Sequence, residues 1–169
     1  MGRKCGQIYR KTVRLQEYNY NTAGAYFLTL CTENRQCILS RIVGTGVLDG
    51  PQIELLPMGA IADKYLHQLN DFYENLSVES YVIMPNHIHI LLQVKEGPSG
   101  TPVPTLQNSV VSQFVSTFKR FCNKEYEANI WQRGAYDHII RDQADFDKHI
   151  QYIYENPFGW LKDEYYSTE

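Results

Sequence analysis

Residues 77–94, SVESYVIMPNHIHILLQV, constrain this chain more than any other stretch. Both halves are rich in aliphatic and β-branched residues, and a Pro-Asn turn signal separates them. They read as two strands, 77–85 and 87–94, set close together. Side chains alternate across a strand, so His87 and His89 share one face with Cα atoms about 6.5 to 7 Å apart. Ile88 and Ile90 face the other way, toward a core. Two imidazoles on one face can converge on one ion; a solvated sheet face is the structural alternative.

The remaining elements follow from periodicity. Residues 24–35 (GAYFLTLCTENR) alternate as a strand. Gly44-Thr45-Gly46 and Asp49-Gly50 mark a hairpin between short apolar runs. Ile61, Tyr65, Leu69 and Phe72 fall at helical spacing within 58–75, as do Val110, Phe114, Phe118 and Phe121 within 106–126. Residues 130–141 read as a loop and a strand, and 143–157 as a last helix that must stop near Pro157. The Pro- and Gly-rich stretch 95–105 reads as a flexible loop inside a single domain spanning 1–169. Without the hairpin and the last helix, the order is βαββαβ, the split βαβ unit of a ferredoxin-like (RRM-like) sheet. An α+β fold is expected, with one antiparallel sheet and its helices mainly on one face.

Composition narrows the class. The chain has 169 residues, enough for one real core. No apolar run approaches the roughly 18 to 20 residues of a membrane span, so no membrane partner is expected. The start, MGRKCGQIYRKTVR, is polar and basic and does not read as a secretory signal; Gly6 stands where myristoylation would want a small hydroxyl. Four cysteines without C-x-x-C spacing read as reduced thiols, which suits the cytoplasm. The net charge of −3 argues mildly against nucleic acid, but it is unevenly placed. Arg3, Lys4, Arg10, Lys11 and Arg14 lie in an N-terminal arm, residues 1–23, whose first fourteen residues contain no acid. Such an arm can grip phosphate, or be a solvated terminus.

A metal site on two strand imidazoles needs a further ligand. The last helix offers Tyr152 and Asn156, four residues apart on one helical face. A carboxamide suits a hard cation, and imidazole shifts the balance from Mg²⁺ toward Mn²⁺. A phenol beside a cation is a potential nucleophile, though its ordinary pKa near 10 means it needs activation. A core aromatic is the alternative reading of Tyr152.

Taken together, YVIMPNHIHILL, FVSTFKRFCNK, IWQRGAYDHIIR and HIQYIYENPFGWLKDE, in that order, resemble the REP-associated tyrosine transposases of the single-tyrosine HUH superfamily. The resemblance covers roughly residues 24–164. It implies a bacterial enzyme that cuts and rejoins single-stranded or hairpin DNA through a 5′-phosphotyrosine. It implies His87, His89 and Asn156 as ligands of a divalent metal, Mg²⁺ or Mn²⁺, and Tyr152 as the nucleophile, borne on the C-terminal helix. Tyr154 is the rival, but it lies about 200° round the helix from Tyr152, whereas Asn156 is in phase with Tyr152. The absence of a G-x-x-x-x-G-K-[ST] phosphate loop fits rejoining without ATP. Lys119, Arg120, Lys124, Arg133 and Arg141 are candidate phosphate contacts, and Trp131 and Tyr136 candidate stacking platforms. His138 reads as structural, or as a partner of the metal site. The family contains monomers and dimers, so a homodimer is possible on sequence grounds.

Three other readings compete. A histidine-triad nucleotide hydrolase would need a third histidine where Leu91 stands. A closed structural zinc site would need a fuller ligand set. A non-catalytic DNA-binding module on the same fold would have no use for His87, His89, Tyr152 and Asn156 together.

Overall fold

The expected order of elements is found in a computed structural model that describes residues 22–44, 50–96, 109–163 and 165–166. Strand β1 is Gly24–Cys31, β2 is Ser40–Val43 and β3 is Gln52–Leu55. Helix α1, Pro57–Phe72, precedes β4, Leu76–Ile83, and β5, His87–Val94. Helix α2, Val110–Tyr126, precedes β6, Tyr136–Ile139, and α3, Gln143–Glu155. Most of the basic arm and of the 95–105 loop lie outside the described residues.

Four strands form a sheet in the order β4-β5-β1-β6, each neighbouring pair antiparallel. That is the ferredoxin-like order, and β2 and β3 form a separate two-stranded hairpin. Alternation divides the sheet cleanly. Tyr26, Leu28, Leu30, Ile88, Ile90 and Leu92 bury one face in a core with Met58, Ala62, Leu66, Phe114 and Phe118 of α1 and α2. Phe27, Val82 and Leu91 bury the other face against Ile153 of α3 and Trp160. Two helices thus cover one face, and the third, which carries Tyr152, packs on the opposite one.

Local chemistry sets the helix ends. Pro57 opens α1, where its missing N–H costs no hydrogen bond. The Ser109 hydroxyl accepts from the Ser112 N–H to cap α2, and the Asp142 carboxylate accepts from the Asp145 N–H at 2.8 Å to cap α3. Pro157 ends α3 after Glu155, and the chain continues as a 3-10 turn over Asn156–Lys162. Gly59 faces the Leu39 carbonyl oxygen so closely that a Cβ there would sit 1.9 Å from it.

The spacing misplaced the buried stripe of α1. Met58, Ala62, Leu66 and Leu69 are buried, while Ile61 and Tyr65 only flank the core and Phe72 is 73% exposed. Both stripes of this helix are apolar, and contact with the sheet decides between them. Trp131, a candidate stacking platform, is instead buried against Phe118.

Candidate functional site

The two strand histidines are fully buried on the α3 face, and their Nε2 atoms lie 3.1 Å apart. Asn86 fixes their chemistry. Its Nδ2 donates to the carbonyl oxygens of Tyr165, at 2.7 Å, and Arg35, at 3.3 Å, so its Oδ1 faces His87 Nδ1 at 2.9 Å as an acceptor. His87 therefore carries its proton on Nδ1 and presents a lone pair on Nε2. His89 Nδ1 meets the Thr29 hydroxyl at 2.9 Å. A hydroxyl can donate or accept, so Thr29 serves either tautomer of His89. Without an ion, His89 Nε2–H donates to His87 Nε2. An ion held by both rings would require the His89 proton on Nδ1, where the Thr29 hydroxyl can accept it.

Burial, and secondarily the neighbouring His89 and Arg35, hold His87 down to about 2 from its ordinary 6.5. It is a neutral imidazole throughout the physiological range, which is the form that binds metals. Two nitrogens 3.1 Å apart are close enough that both could hold one ion bonded at about 2.1 Å.

Helix α3 brings up the other two candidates. The Tyr152 ring packs edge-on against His89, with centroids 5.1 Å apart, and against Phe27 at 5.9 Å. Tyr154 points elsewhere: it is 74% exposed and rests on Phe158. Asn156 is one turn beyond Tyr152, its N–H bonded to the Tyr152 carbonyl. It lies in the chain between Tyr152, which touches His89, and Trp160, whose ring is 6.1 Å from that of His87. The Asn156 amide nitrogen donates to Asp163 at 3.3 Å, which turns its Oδ1 the other way. That Oδ1 is buried and has no hydrogen-bond partner among the described residues. Leaving a buried carbonyl bare is costly, and a cation relieves that cost. The described residues thus offer two buried imidazole nitrogens 3.1 Å apart and one buried amide oxygen that has no partner among them.

Sequence reasoning missed Asn86, Thr29 and Tyr165. Tyr165 is buried with its ring 4.6 Å from that of His87, and the Arg35 guanidinium lies over the Tyr165 ring, 5.4 Å from its centroid. A threonine inside the apolar run YFLTLC was the available signal, because Thr29 lies directly opposite His89 in the register.

The expected phosphate contacts divide. Helix α2 lies across the sheet from the imidazoles, so Lys119, Arg120 and Lys124 are on the far face. Lys119 is already engaged. It is half-buried, its ammonium donates to the carbonyls of Gln132, at 2.8 Å, and Gly134, and burial lowers its pKa to about 8. It braces the loop that leads to β6. Arg120 and Lys124 are exposed beside it. Arg133 and Arg141 are exposed at either end of edge strand β6, on which Tyr136 is 44% exposed opposite Thr29. Paired with Thr29, Tyr136 lies on the histidine face.

No helix among the described residues is long and apolar enough to cross a membrane. No family model matches the chain. An uncharacterised protein of Haemophilus influenzae is 30% identical over 177 residues, spanning 95% of each chain. A REP-associated tyrosine transposase of Escherichia coli is 30% identical over 87 residues, a match that spans about half of either chain, 50% of this one and 47% of that one. The solved structure of a REP-associated tyrosine transposase bound to a REP hairpin superposes with a TM-score of 0.59 at 20% identity, covering 93% of this chain and 76% of that one, and so shares its fold. The chain is thus similar in sequence to a REP-associated tyrosine transposase over about half its length, and it shares the fold of another.

Proposed function

We propose that this protein is a metal-dependent single-stranded DNA endonuclease and strand transferase that works through Tyr152. The observation that carries the reading is the buried Asn156 Oδ1, without a partner among the described residues, one turn past a tyrosine packed on His89, whose Nε2 lies 3.1 Å from that of His87. His87 Nε2, His89 Nε2 and Asn156 Oδ1 hold a divalent cation, Mg²⁺ or Mn²⁺. Such a cation, when bound, draws charge from a non-bridging oxygen of the scissile phosphate.

The chain's own residues do the rest. Asn86 and Thr29 orient the two imidazoles. The Tyr152 hydroxyl attacks phosphorus, forming a phenolic O–P bond as the bond from phosphorus to the 3′-oxygen breaks. The phenolic proton ends on that 3′-oxygen, leaving a 5′-phosphotyrosine and a free 3′-hydroxyl. Because the ester is conserved, a 3′-hydroxyl can attack back and join strands without a nucleotide cofactor. Arg133 and Arg141 hold backbone phosphates at the β6 edge, and Tyr136 offers a face on which an unpaired base can stack. By analogy with the hairpin-bound relative, the DNA partner is a hairpin of the REP type.

Incubating the protein with REP-type hairpin oligonucleotides and Mn²⁺ tests this. Cleavage and a denaturant-stable protein–DNA adduct are expected. Tyr152→Phe should lose both while still shifting the hairpin on a native gel, and His87→Ala should slow cleavage. Tight hairpin binding without any adduct in the wild type would leave a non-catalytic DNA-binding module on the same fold.

A further inference from the structure

A second cluster of ligating side chains lies beyond Phe27. Asp145, in the first turn of α3, stands between His138 of β6 and His149 of α3. His138 Nε2 is 2.9 Å from one carboxylate oxygen, and His149 Nδ1 is 3.2 Å from the other. The ligating atoms of all three residues lie within 4.8 Å of one another. The two imidazole rings stack with centroids 4.8 Å apart. All three side chains are partly exposed, so an ion can enter from solvent. The Phe27 ring separates this cluster from the first site, stacking on His89 at 5.1 Å and tilting against His149 at 4.6 Å.

We propose that His138, Asp145 and His149 bind a second divalent cation, of the first-row transition-metal class, which ties the start of the Tyr152 helix to edge strand β6. The chemistry selects the class. Two imidazoles and one carboxylate favour Zn²⁺, Co²⁺ or Ni²⁺ over Mg²⁺ or Ca²⁺, which prefer all-oxygen sets. The two nitrogen–oxygen edges, 2.9 and 3.2 Å, already suit ligands that share an ion bonded at about 2.1 Å. Rotation of one imidazole closes the third edge. The site is also held ready. The Asp145 carboxylate accepts from the Arg141 N–H at 3.2 Å, and the Asp145 N–H is capped by Asp142. The His149 Nδ1–H now donates to the Asp145 carbonyl at 2.7 Å. To ligate through Nδ1, His149 would give up that proton and its bond to the Asp145 carbonyl. The ion would bridge strand and helix, whereas the present hydrogen bonds join them through one carboxylate.

Calorimetric titration of Co²⁺ into metal-stripped, full-length protein separates the two sites. The wild type should bind two equivalents. The His87→Ala/His89→Ala double variant should bind one, with a raised unfolding temperature. Adding His138→Gln, which keeps an N–H donor for Asp145 but is a poor ligand, should abolish that remaining equivalent and the thermal shift. If the double variant binds no Co²⁺, or if His138→Gln leaves its stoichiometry unchanged, the second site is refuted, whatever the outcome of the DNA assays. Should His138→Gln not fold, Asp145→Asn carries the same test.

Discussion

Acidification should destabilise the metal-free protein through His87. Its folded pKa is held down to about 2, against 6.5 when exposed. In the pH range between these values the unfolded chain binds a proton that the folded one refuses, so stability falls as pH falls. The loss is negligible at pH 7.5. It reaches about 1.4 kcal/mol at pH 5.5 and about 2 kcal/mol at pH 5.0, each further unit adding about 1.4. A domain of this size holds only about 5 to 15 kcal/mol in all, so the effect is readable. Urea unfolding in EDTA at pH 7.5, 6.5, 5.5 and 5.0 gives the curve, and carboxylates are still largely ionised across that window. His87→Gln, which cannot be protonated, should flatten most of it. A wild-type curve that is already flat would refute the reasoning, as would one of unchanged slope in the variant, because His87 would then be charged or solvated in the folded state and its lone pair would not be committed inward.

Other perturbations separate the remaining roles. Asn86→Ala removes the acceptor that fixes the His87 tautomer, and should weaken Mn²⁺ binding about 10- to 100-fold by titration while the fold persists; unchanged affinity would remove Asn86 from the site. Gly59→Ala places a Cβ 1.9 Å from the Leu39 carbonyl oxygen and should cost on the order of 1 to 3 kcal/mol in urea unfolding; a variant as stable as the wild type would contradict that close approach. Arg141→Ala should lower the salt slope of hairpin binding by about 0.7 to 0.9, the share of one phosphate contact. Lys119→Met should leave that slope intact and lower thermal stability instead, because its ammonium is engaged with the carbonyls of Gln132 and Gly134.

The fold and the histidine face were legible where a simple period governs. Alternation in HIHILLQV put His87 and His89 on one face and Ile88 and Ile90 on the other. The four-residue spacing put Asn156 in phase with Tyr152 and Tyr154 out of it. Legibility failed where long-range register decides. Thr29 reaches His89 only because β1 pairs with β5, and Asn86 is locked by the Tyr165 carbonyl, seventy-nine residues away. No local pattern carries such contacts. Lys119 misled for a related reason: the outer face of an amphipathic helix reads as solvated until a loop folds over it. The contacts of His138 with Asp145 and His149 were hidden for the same reason, since those partners belong to a different element. Asp145 itself looks like an ordinary first-turn acid.

The most direct test of the central claim is fragmentation mass spectrometry of the covalent complex formed with a REP-type hairpin and Mn²⁺. Tyr152 and Tyr154 fall on the same tryptic peptide, so the fragment ions must place the nucleotide mass between them. The account expects the phosphodiester on Tyr152. A nucleotide on Tyr154, or cleaved DNA with no modified tyrosine, would contradict it.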